Sequence, residues 1–381
     1  MSHFDFAEVL TRMVELRASD VHLTAGFRPA IRVRGRIVPM DDYPVLTPQQ
    51  TREVVYAILN NEQRKRFENN QQLDFAYMIP GVARFRVNVY FQRGAISAAF
   101  RHIPQEIKTV EELGLPPVLT EFCRKPRGFV LVTGPTGSGK TTSLAAMLDL
   151  INREREEHIL TIEDPIEFMH HHQKCIVNQR EIGADAPDFA VALKAALRQD
   201  PDVILVGEMR DLETISTALT AAETGHLVFA TLHTQSTSQT VDRIIDVFPA
   251  EQQHQVRMQL SIALQGIVTQ QLLPTADGAG RICATEVLIP TPAIRNLIRE
   301  GKTHQIYSAI QTSGATGMQT MDAHLAQLTR QGKITRQLAE QRAAVPEELR
   351  RLLGDAPTAV GQQPAGQPQY QGAATTLGSP N

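Results

Sequence analysis

The stretch Gly134-Pro135-Thr136-Gly137-Ser138-Gly139-Lys140-Thr141 decides the fold of this chain. It matches the pattern GxxxxGK[ST] at every fixed position, with an apolar run at 129–132 before it and a helical pattern at 142–151 after it. In this context, glycines let backbone N–H groups turn inward around phosphate oxygens at the positive end of a helix. The sequence therefore predicts a phosphate-binding loop rather than a turn that only links two elements.

The loop also predicts the ligands of the site. Lys140 is expected to contact the β- and γ-phosphates of ATP, and Thr141 is expected to offer a hydroxyl group to Mg²⁺. ATP and Mg²⁺ are therefore the predicted cofactors. The residues predicted to bind the nucleotide are Gly134, Pro135, Thr136, Gly137, Ser138, Gly139, Lys140, Thr141 and Thr142.

Short apolar runs recur after the loop, at 159–162, 203–206 and 227–232, and helical segments separate them. Such runs are typical of parallel strands that helices cover on both faces. We therefore predict an α/β domain with a parallel-rich sheet. Residues 250–353, at its C-terminal end, are mainly helical by pattern.

Two of these runs end in carboxylates. Glu163 and Asp164 follow the run at 159–162, and Glu208 follows the run at 203–206. Ligands of open parallel sheets bind outside the carboxyl ends of the strands, where acids hold Mg²⁺ directly or through water, or orient the attacking water. We choose Glu208 for this role and Glu163 next, both with Thr141 as metal-associated residues. Each acid singly could instead be a helix cap or a surface turn.

His233 follows the run at 227–232 in the same way and could sense the γ-phosphate, although a lone histidine is more often a packing or surface residue. The triplet at 170–172 resembles a metal site, but adjacent residues of an extended segment point to alternate sides and do not converge on one ion. Arginine often completes the site of P-loop ring enzymes. The candidates, which could also line a solvated sheet face, are Arg84, Arg86, Arg93 and Arg101.

Composition limits the other classes of function. Of 381 residues, 42% are hydrophobic and 21% charged, and the net charge of −3 gives no global field for a polyanion. A nucleic-acid translocase needs a basic channel with aromatic residues, and the chain has no Trp and 5% aromatic residues. Its three cysteines form no CxxC pair, and no apolar stretch approaches the roughly 20 residues that cross a bilayer. We expect a cytoplasmic protein with no nucleic-acid partner and no direct membrane insertion.

The chain is predicted to divide into four parts. The first part, residues 1–105, combines a helical pattern with strand-like alternation at 31–34 and 84–89. The second part, residues 106–127, contains three prolines. The last part, residues 354–381, is rich in Gly, Pro, Gln, Ala and Thr and is predicted to be disordered. These parts are an N-terminal α/β domain (1–105), a linker (106–127), the P-loop domain with a helical C-terminal region (128–353) and a tail (354–381).

Four stretches together resemble the secretion ATPase superfamily: 134–141, 162–167, 206–211 and 223–234. Within it, the chain is similar to the PilT-type retraction ATPases, because ASDVHL at 18–23 and AIRNLIRE at 293–300 resemble motifs of that branch. The resemblance spans about residues 5–345. Extension and type II secretion relatives usually carry a tetracysteine motif, and its absence here favours the retraction branch.

The resemblance implies a PAS-like N-terminal domain, a RecA-like ATPase domain and a homohexameric ring at the inner-membrane base of the type IV pilus. Such a ring hydrolyses ATP, engages a platform protein and drives pilus depolymerisation, which powers retraction and twitching motility. Glu208 would be the Walker B catalytic glutamate and Glu163 the acidic-box residue. His233 lies in the histidine box, and Arg86 and Arg101 would approach the nucleotide at a domain or subunit boundary.

Two alternatives stay open. The sequence at 170–173 and 269–272 also resembles the accessory paralogue PilU. A chain of that kind would assist another retraction ATPase. A ring subunit that only binds nucleotide would be expected to have lost Glu163 or Glu208, and both are present. A type II secretion or nucleic-acid-translocating ATPase is less well supported by the sequence.

Overall fold

The computed structural model describes residues 5–33, 35–103 and 106–355. Nearly all of the tail predicted to be disordered lies outside the described residues, and so does Arg34 of the strand predicted at 31–34.

The N-terminal part is one antiparallel sheet packed against helices. Its elements are α1 (Phe6–Glu15), β1 (Asp20–Leu23), β2 (Ala30–Val33), β3 (Arg36–Pro39), α2 (Pro48–Ile58), α3 (Asn61–Asn70), β4 (Gln72–Ile79), β5 (Ala83–Gln92) and β6 (Ala95–Ile103). The strand order is β3-β2-β1-β6-β5-β4. Along β5, Phe85 and Val87 are fully buried, whereas Arg84 and Arg86 point to the opposite face. This alternation follows from the period of two in a strand and leaves one polar sheet face.

A second sheet forms the body of the P-loop domain. Its first elements are α4 (Val118–Cys123), β7 (Gly128–Thr133), α5 (Lys140–Glu154), β8 (His158–Glu163), β9 (Ile176–Glu181), α6 (Phe189–Ala196), β10 (Val203–Val206), α7 (Leu212–Thr224), β11 (Leu227–Leu232), α8 (Thr237–Asp246) and α9 (Ala250–Ala263). The four predicted strands β7, β8, β10 and β11 pair in parallel and are almost entirely buried. The predicted α/β architecture is therefore confirmed.

The C-terminal region contains two long strands that its helical pattern did not predict. Its elements are β12 (Leu264–Pro274), β13 (Arg281–Leu288), α10 (Pro292–Arg299), α11 (Ile306–Thr312), α12 (Met321–Arg330), α13 (Arg336–Arg342) and α14 (Pro346–Leu353). Strand β12 pairs in parallel with β7, and β13 adds an antiparallel edge. The sheet order is β13-β12-β7-β11-β10-β8-β9. Helices still make up most of this region.

The segment predicted as a linker packs closely on the second sheet. Leu115, Leu119 and Phe122 are buried there, and α4 lies within the segment. A Cβ atom at Gly266 of β12 would lie 2.2 Å from the Phe122 ring. Glycine is therefore required at 266, and the contact fixes this connector to the strand beside β7.

The motif at 293–300 forms α10, which is tied to the end of α9. Ile294 and Ile298 of α10 are fully buried. The Arg295 guanidinium donates hydrogen bonds to the backbone carbonyls of Ser261, of Ile262 at 2.9 Å and of Leu264 at 3.0 Å. Because the last carbonyls of a helix lack partners within the helix, this cation completes the C-terminus of α9 at the point where β12 begins.

Candidate functional site

The phosphate-binding loop joins β7 to α5 and needs glycine for steric reasons. Gly134 has φ +139°, and a Cβ atom there would lie 2.3 Å from the backbone oxygen of Gln270. Gly137 and Gly139 have φ +79° and +89°, in the left-handed region that side chains rarely adopt. These backbone angles turn the loop into the N-terminus of α5, which begins at Lys140. The motif thus has the strand–loop–helix context that the sequence predicts.

Lys140 is buried and folds back on its own loop. Its Nζ donates to the carbonyl oxygens of Gly134 at 2.9 Å and Pro135 at 3.2 Å. Burial lowers the pKa of Lys140, although the charges of Glu208 and Glu167 act in the opposite direction. Ser138 Oγ, which is also buried, has no hydrogen-bond partner in the part of the chain that the structure describes. The loop therefore offers a cation and an unused hydroxyl group to an anion.

Glu208 lies just past β10 and meets His233, which lies just past β11. His233 Nε2 and Glu208 Oε1 are 2.9 Å apart, and Arg210 Nη2 donates to Glu208 Oε2 at 2.6 Å. Burial alone would raise the pKa of Glu208, but the hydrogen bond and charge of Arg210, together with His233, lower it below the usual range. Glu208 is thus held as a carboxylate at neutral pH.

Glu163 at the end of β8 has the opposite electrostatic environment. It is 6% exposed, and its Oε1 accepts hydrogen bonds from Thr161 Oγ1 at 2.6 Å and Gln179 Nε2 at 3.1 Å. Burial raises the pKa of Glu163 to about 7 despite these hydrogen bonds. The two acids that the sequence singles out therefore differ in protonation, and Glu163 titrates near physiological pH.

A cleft of about 420 Å³ is lined by Lys140, Glu163, Glu208 and His233, and its opposite wall comes from the N-terminal sheet. Arg86 of β5 and Arg101 of β6 are direct cross-strand partners, and both side chains line the cleft. Arg86 and Arg101 therefore lie across the cleft from the phosphate loop. The predicted residues along the cleft are Arg86, Arg101, Thr136, Gly137, Gly139, Lys140, Thr141, Thr142, Glu163, Glu208 and His233.

Asp20 holds Arg101 in place. Arg101 Nε donates to Asp20 Oδ1 at 2.9 Å, and Ser19 Oγ donates to Asp20 Oδ2 at 2.7 Å. Burial alone would raise the pKa of Asp20, but these two hydrogen bonds and the Arg101 charge lower it. Asp20 belongs to the 18–23 motif, so the motif has a structural link to the cleft that spacing alone does not reveal.

The other sequence candidates lie elsewhere. Arg84 does not line the cleft and pairs with Glu181, whereas Arg93 lies in the β5–β6 turn at φ +50°. In the 170–172 triplet, burial lowers the pKa of His170 to about 4, and His172 Nδ1 accepts from the Val177 N–H at 3.0 Å. Within 5–33, 35–103 and 106–355, no group of three or more His, Cys, Asp or Glu side chains is placed to hold a metal ion.

The donor set nevertheless fits Mg²⁺ bound with nucleotide. Thr141, Glu163 and Glu208 face the same cleft. Mg²⁺ in such sites takes one or two protein oxygens and completes its shell with phosphate oxygens and water.

Sequence reasoning missed two charged residues that line this cleft and a third that binds Glu208. Arg210 binds Glu208, whereas Glu167 and Arg281 line the wall. Arg210 could have been found from its position two residues after Glu208 in a strand-end segment. Arg281 could not, because it starts a strand that the sequence pattern did not predict.

The site combines a P-loop on a parallel sheet with Glu208 and His233 at strand ends and the Arg86–Arg101 pair on the opposite wall. This combination defines a RecA-like P-loop ATPase. The family model described as "Type II/IV secretion system protein" matches residues 5–337. The chain belongs to that family, as an ATPase of the PilT type.

Three relatives support this placement. The type IV pilus retraction ATPase PilT of Pseudomonas aeruginosa is 54% identical over 91% of this chain and 100% of the relative. The type IV pilus ATPase PilU of the same organism is 46% identical over 92% of this chain and 91% of the relative. A crystal structure of the pilus retraction motor PilT with bound ADP superposes with a TM-score of 0.87 at 52% identity, over 92% of this chain and all of that chain.

No helix in the described ranges has both the length and the apolar character needed to span a bilayer.

Proposed function

We propose that this chain is the ATP-hydrolysing motor of type IV pilus retraction. The observation that carries the proposal is the cleft in which Lys140, Glu208 and the Arg86–Arg101 pair face one another, in a chain 54% identical to a pilus retraction ATPase. A nucleotide in this cleft contacts both domains. Its hydrolysis therefore changes how the domains sit against each other, and that displacement is the mechanical output.

Nucleotide binding begins at the loop. Lys140 exchanges the carbonyls of Gly134 and Pro135 for phosphate oxygens, which are stronger partners for an ammonium group. Thr141, Glu163 and Glu208 would hold Mg²⁺ directly or through water, and the ion would neutralise charge between the phosphates. A smaller neighbouring pocket of about 310 Å³, lined by Leu113 and Leu115 and shared with Gly139, has room for the base.

The two acids divide the remaining work. Glu208 stays ionised and orients the attacking water, since a carboxylate can accept a hydrogen bond from it. His233 binds Glu208 and reports on the γ-phosphate, and Arg86 and Arg101 stabilise the charge that develops on the transferring group. Glu163 would contribute to holding Mg²⁺, and it changes its charge near pH 7.

The assembly we propose is a homohexamer at the cytoplasmic face of the inner membrane, at the pilus base, where it engages the membrane-embedded platform protein. The accessory-subunit alternative has in its favour the 46% identity to PilU and the resemblance to PilU at 170–173 and 269–272. A chain that keeps Glu163, Glu208, Lys140 and the arginine pair in one cleft has what hydrolysis requires, and this favours the motor.

The test compares wild type with Glu208→Gln in steady-state ATPase activity and in mass in solution. The variant keeps the size and shape of Glu208 and loses its charge, so it should bind ATP and turn over roughly 100-fold or more slowly. Wild-type turnover from a particle of six chains, followed by restored twitching in a piliated bacterium that lacks its retraction ATPase, supports the motor. Wild-type binding without turnover supports the accessory role instead.

A further inference from the structure

One carboxylate oxygen, outside the lining of the cleft, links the N-terminal sheet to the P-loop domain. Glu181 Oε2 accepts a hydrogen bond from Arg84 Nη2 at 2.7 Å and another from the backbone N–H of Ile166 at 3.1 Å. Arg84 belongs to β5 of the N-terminal sheet. Ile166 lies between Pro165 and Glu167, which both line the cleft. We call Arg84, Glu181 and Ile166 the interdomain joint.

The joint is shielded from water. The Arg84 and Glu181 side chains are 14% and 11% exposed. In such a pair the cost of desolvation offsets much of the attraction, so its net contribution to stability is small, whereas removal of one partner leaves a buried charge uncompensated. The Arg84 Nε group adds to this cost, because it is buried without a partner among the described residues. Stability alone therefore gives a poor account of the pair.

Strand β5 also connects the interdomain joint to the arginine pair. Arg84 and Arg86 lie two residues apart on the same face of the strand, about 7 Å from each other along it. Arg86 is the cross-strand partner of Arg101, and both line the nucleotide cleft. When Glu181 holds Arg84, it also sets how far the arginine pair stands from the phosphate loop.

We propose that Glu181 is a positioning residue for ATP hydrolysis, which acts through Arg84 to place Arg86 and Arg101 over the γ-phosphate. This inference rests on the function proposed above for the arginine pair. Glu181 touches neither nucleotide nor metal in this scheme. Its effect is therefore confined to steps in which the arginines take part.

The first experiment measures steady-state ATPase activity and ADP affinity of Glu181→Gln in the full chain. Glutamine can still accept a hydrogen bond from the Ile166 N–H. The backbone at Ile166 therefore keeps its partner, while Arg84 loses its charge partner. We expect kcat to fall about tenfold. KM and the Kd for ADP should stay within about twofold, because ADP lacks the phosphate that the arginines face. Arg84→Gln should behave like Glu181→Gln, and Arg84→Lys should recover part of kcat.

The decisive readout is a double-mutant cycle with Arg86→Ala. If Glu181 acts through the arginine pair, Arg86→Ala should cost several-fold less in the Glu181→Gln background than in wild type. Equal losses in both backgrounds would overturn the inference, and so would a Glu181→Gln enzyme with wild-type kcat.

Two controls separate this inference from the function on which it rests. Arg12→Ala breaks an exposed ion pair of the same domain, with Asp42 at 2.6 Å, and should leave kcat unchanged. A wild-type protein without ATPase activity would refute the proposed function itself. An active wild type with an additive cycle would refute only the role of Glu181.

Discussion

The substitution Glu163→Gln should make the folded protein less sensitive to alkaline pH. Burial raises the pKa of Glu163 from its ordinary 4.5 to about 7. A folded-state pKa above the unfolded value means that the folded protein binds the proton more tightly. Glu163 therefore supports folding at low pH, and its contribution falls as pH rises from about 4.5 to about 7.

The magnitude follows from the same pKa difference. Each pKa unit corresponds to about 1.4 kcal/mol, so the fully ionised side chain costs the folded state about 3 kcal/mol. Part of this cost is already present at pH 5.5. Between pH 5.5 and 8.5 the free energy of unfolding of wild type should therefore fall by about 2 kcal/mol more than that of Glu163→Gln. Both groups that bond Glu163 Oε1 can also bond a glutamine carbonyl.

The assay is urea unfolding of the nucleotide-free protein at both pH values, for wild type, Glu163→Gln and the exposed control Glu156→Gln. The relevant quantity is the change in the free energy of unfolding between the two pH values. The contribution of a hydrogen bond that the substitution removes at both pH values cancels in this difference. Parallel pH dependence of wild type and Glu163→Gln would refute the assignment of a neutral-range pKa to this buried acid.

Three further substitutions test the loop and the α9 terminus. Lys140→Ala should abolish ATP and ADP binding, measured by calorimetry, since it removes the only cation that the loop itself supplies; retained micromolar binding would count against its role. Gly134→Ala should reduce nucleotide binding at least tenfold, because its Cβ would lie 2.3 Å from the Gln270 carbonyl oxygen; Gly280→Ala, which meets no atom closer than 4.0 Å, is the matched control. Arg295→Ala should lower the free energy of unfolding by about 1–2 kcal/mol, as three carbonyls at the end of α9 lose their cation; an unchanged urea midpoint would show that water replaces it at no cost.

Local patterns were sufficient to predict the phosphate-binding loop and the four parallel strands β7, β8, β10 and β11 of the second sheet. The P-loop octet and the apolar runs are short-range signals, and strand ends of a parallel sheet meet at one edge, so the closeness of Glu208 and His233 could be inferred before the structure was known. The β12–β13 hairpin could not, since its apolar residues occur in runs too short to separate strand from helix by periodicity.

Contacts between distant segments also lay beyond the sequence. Asp20 and Arg101 are 81 residues apart and meet only through the register of β1 and β6. Arg84 and Glu181 meet through the relative placement of two sheets, which no local pattern encodes. The arginines of the N-terminal sheet could be listed as candidates, but which of them line the cleft depends on that placement.

The attachment of α10 by Arg295 has a mechanical consequence. Strand β12 starts beside that attachment, and its Thr269 Oγ1 lies 2.8 Å from Thr133 Oγ1, one residue before the phosphate loop. Helix α10 and the phosphate loop are thus attached to one strand at two points, about 17 Å apart. Because a hydrogen-bonded strand hardly stretches, we expect a displacement at the loop to be transmitted along β12 to α10.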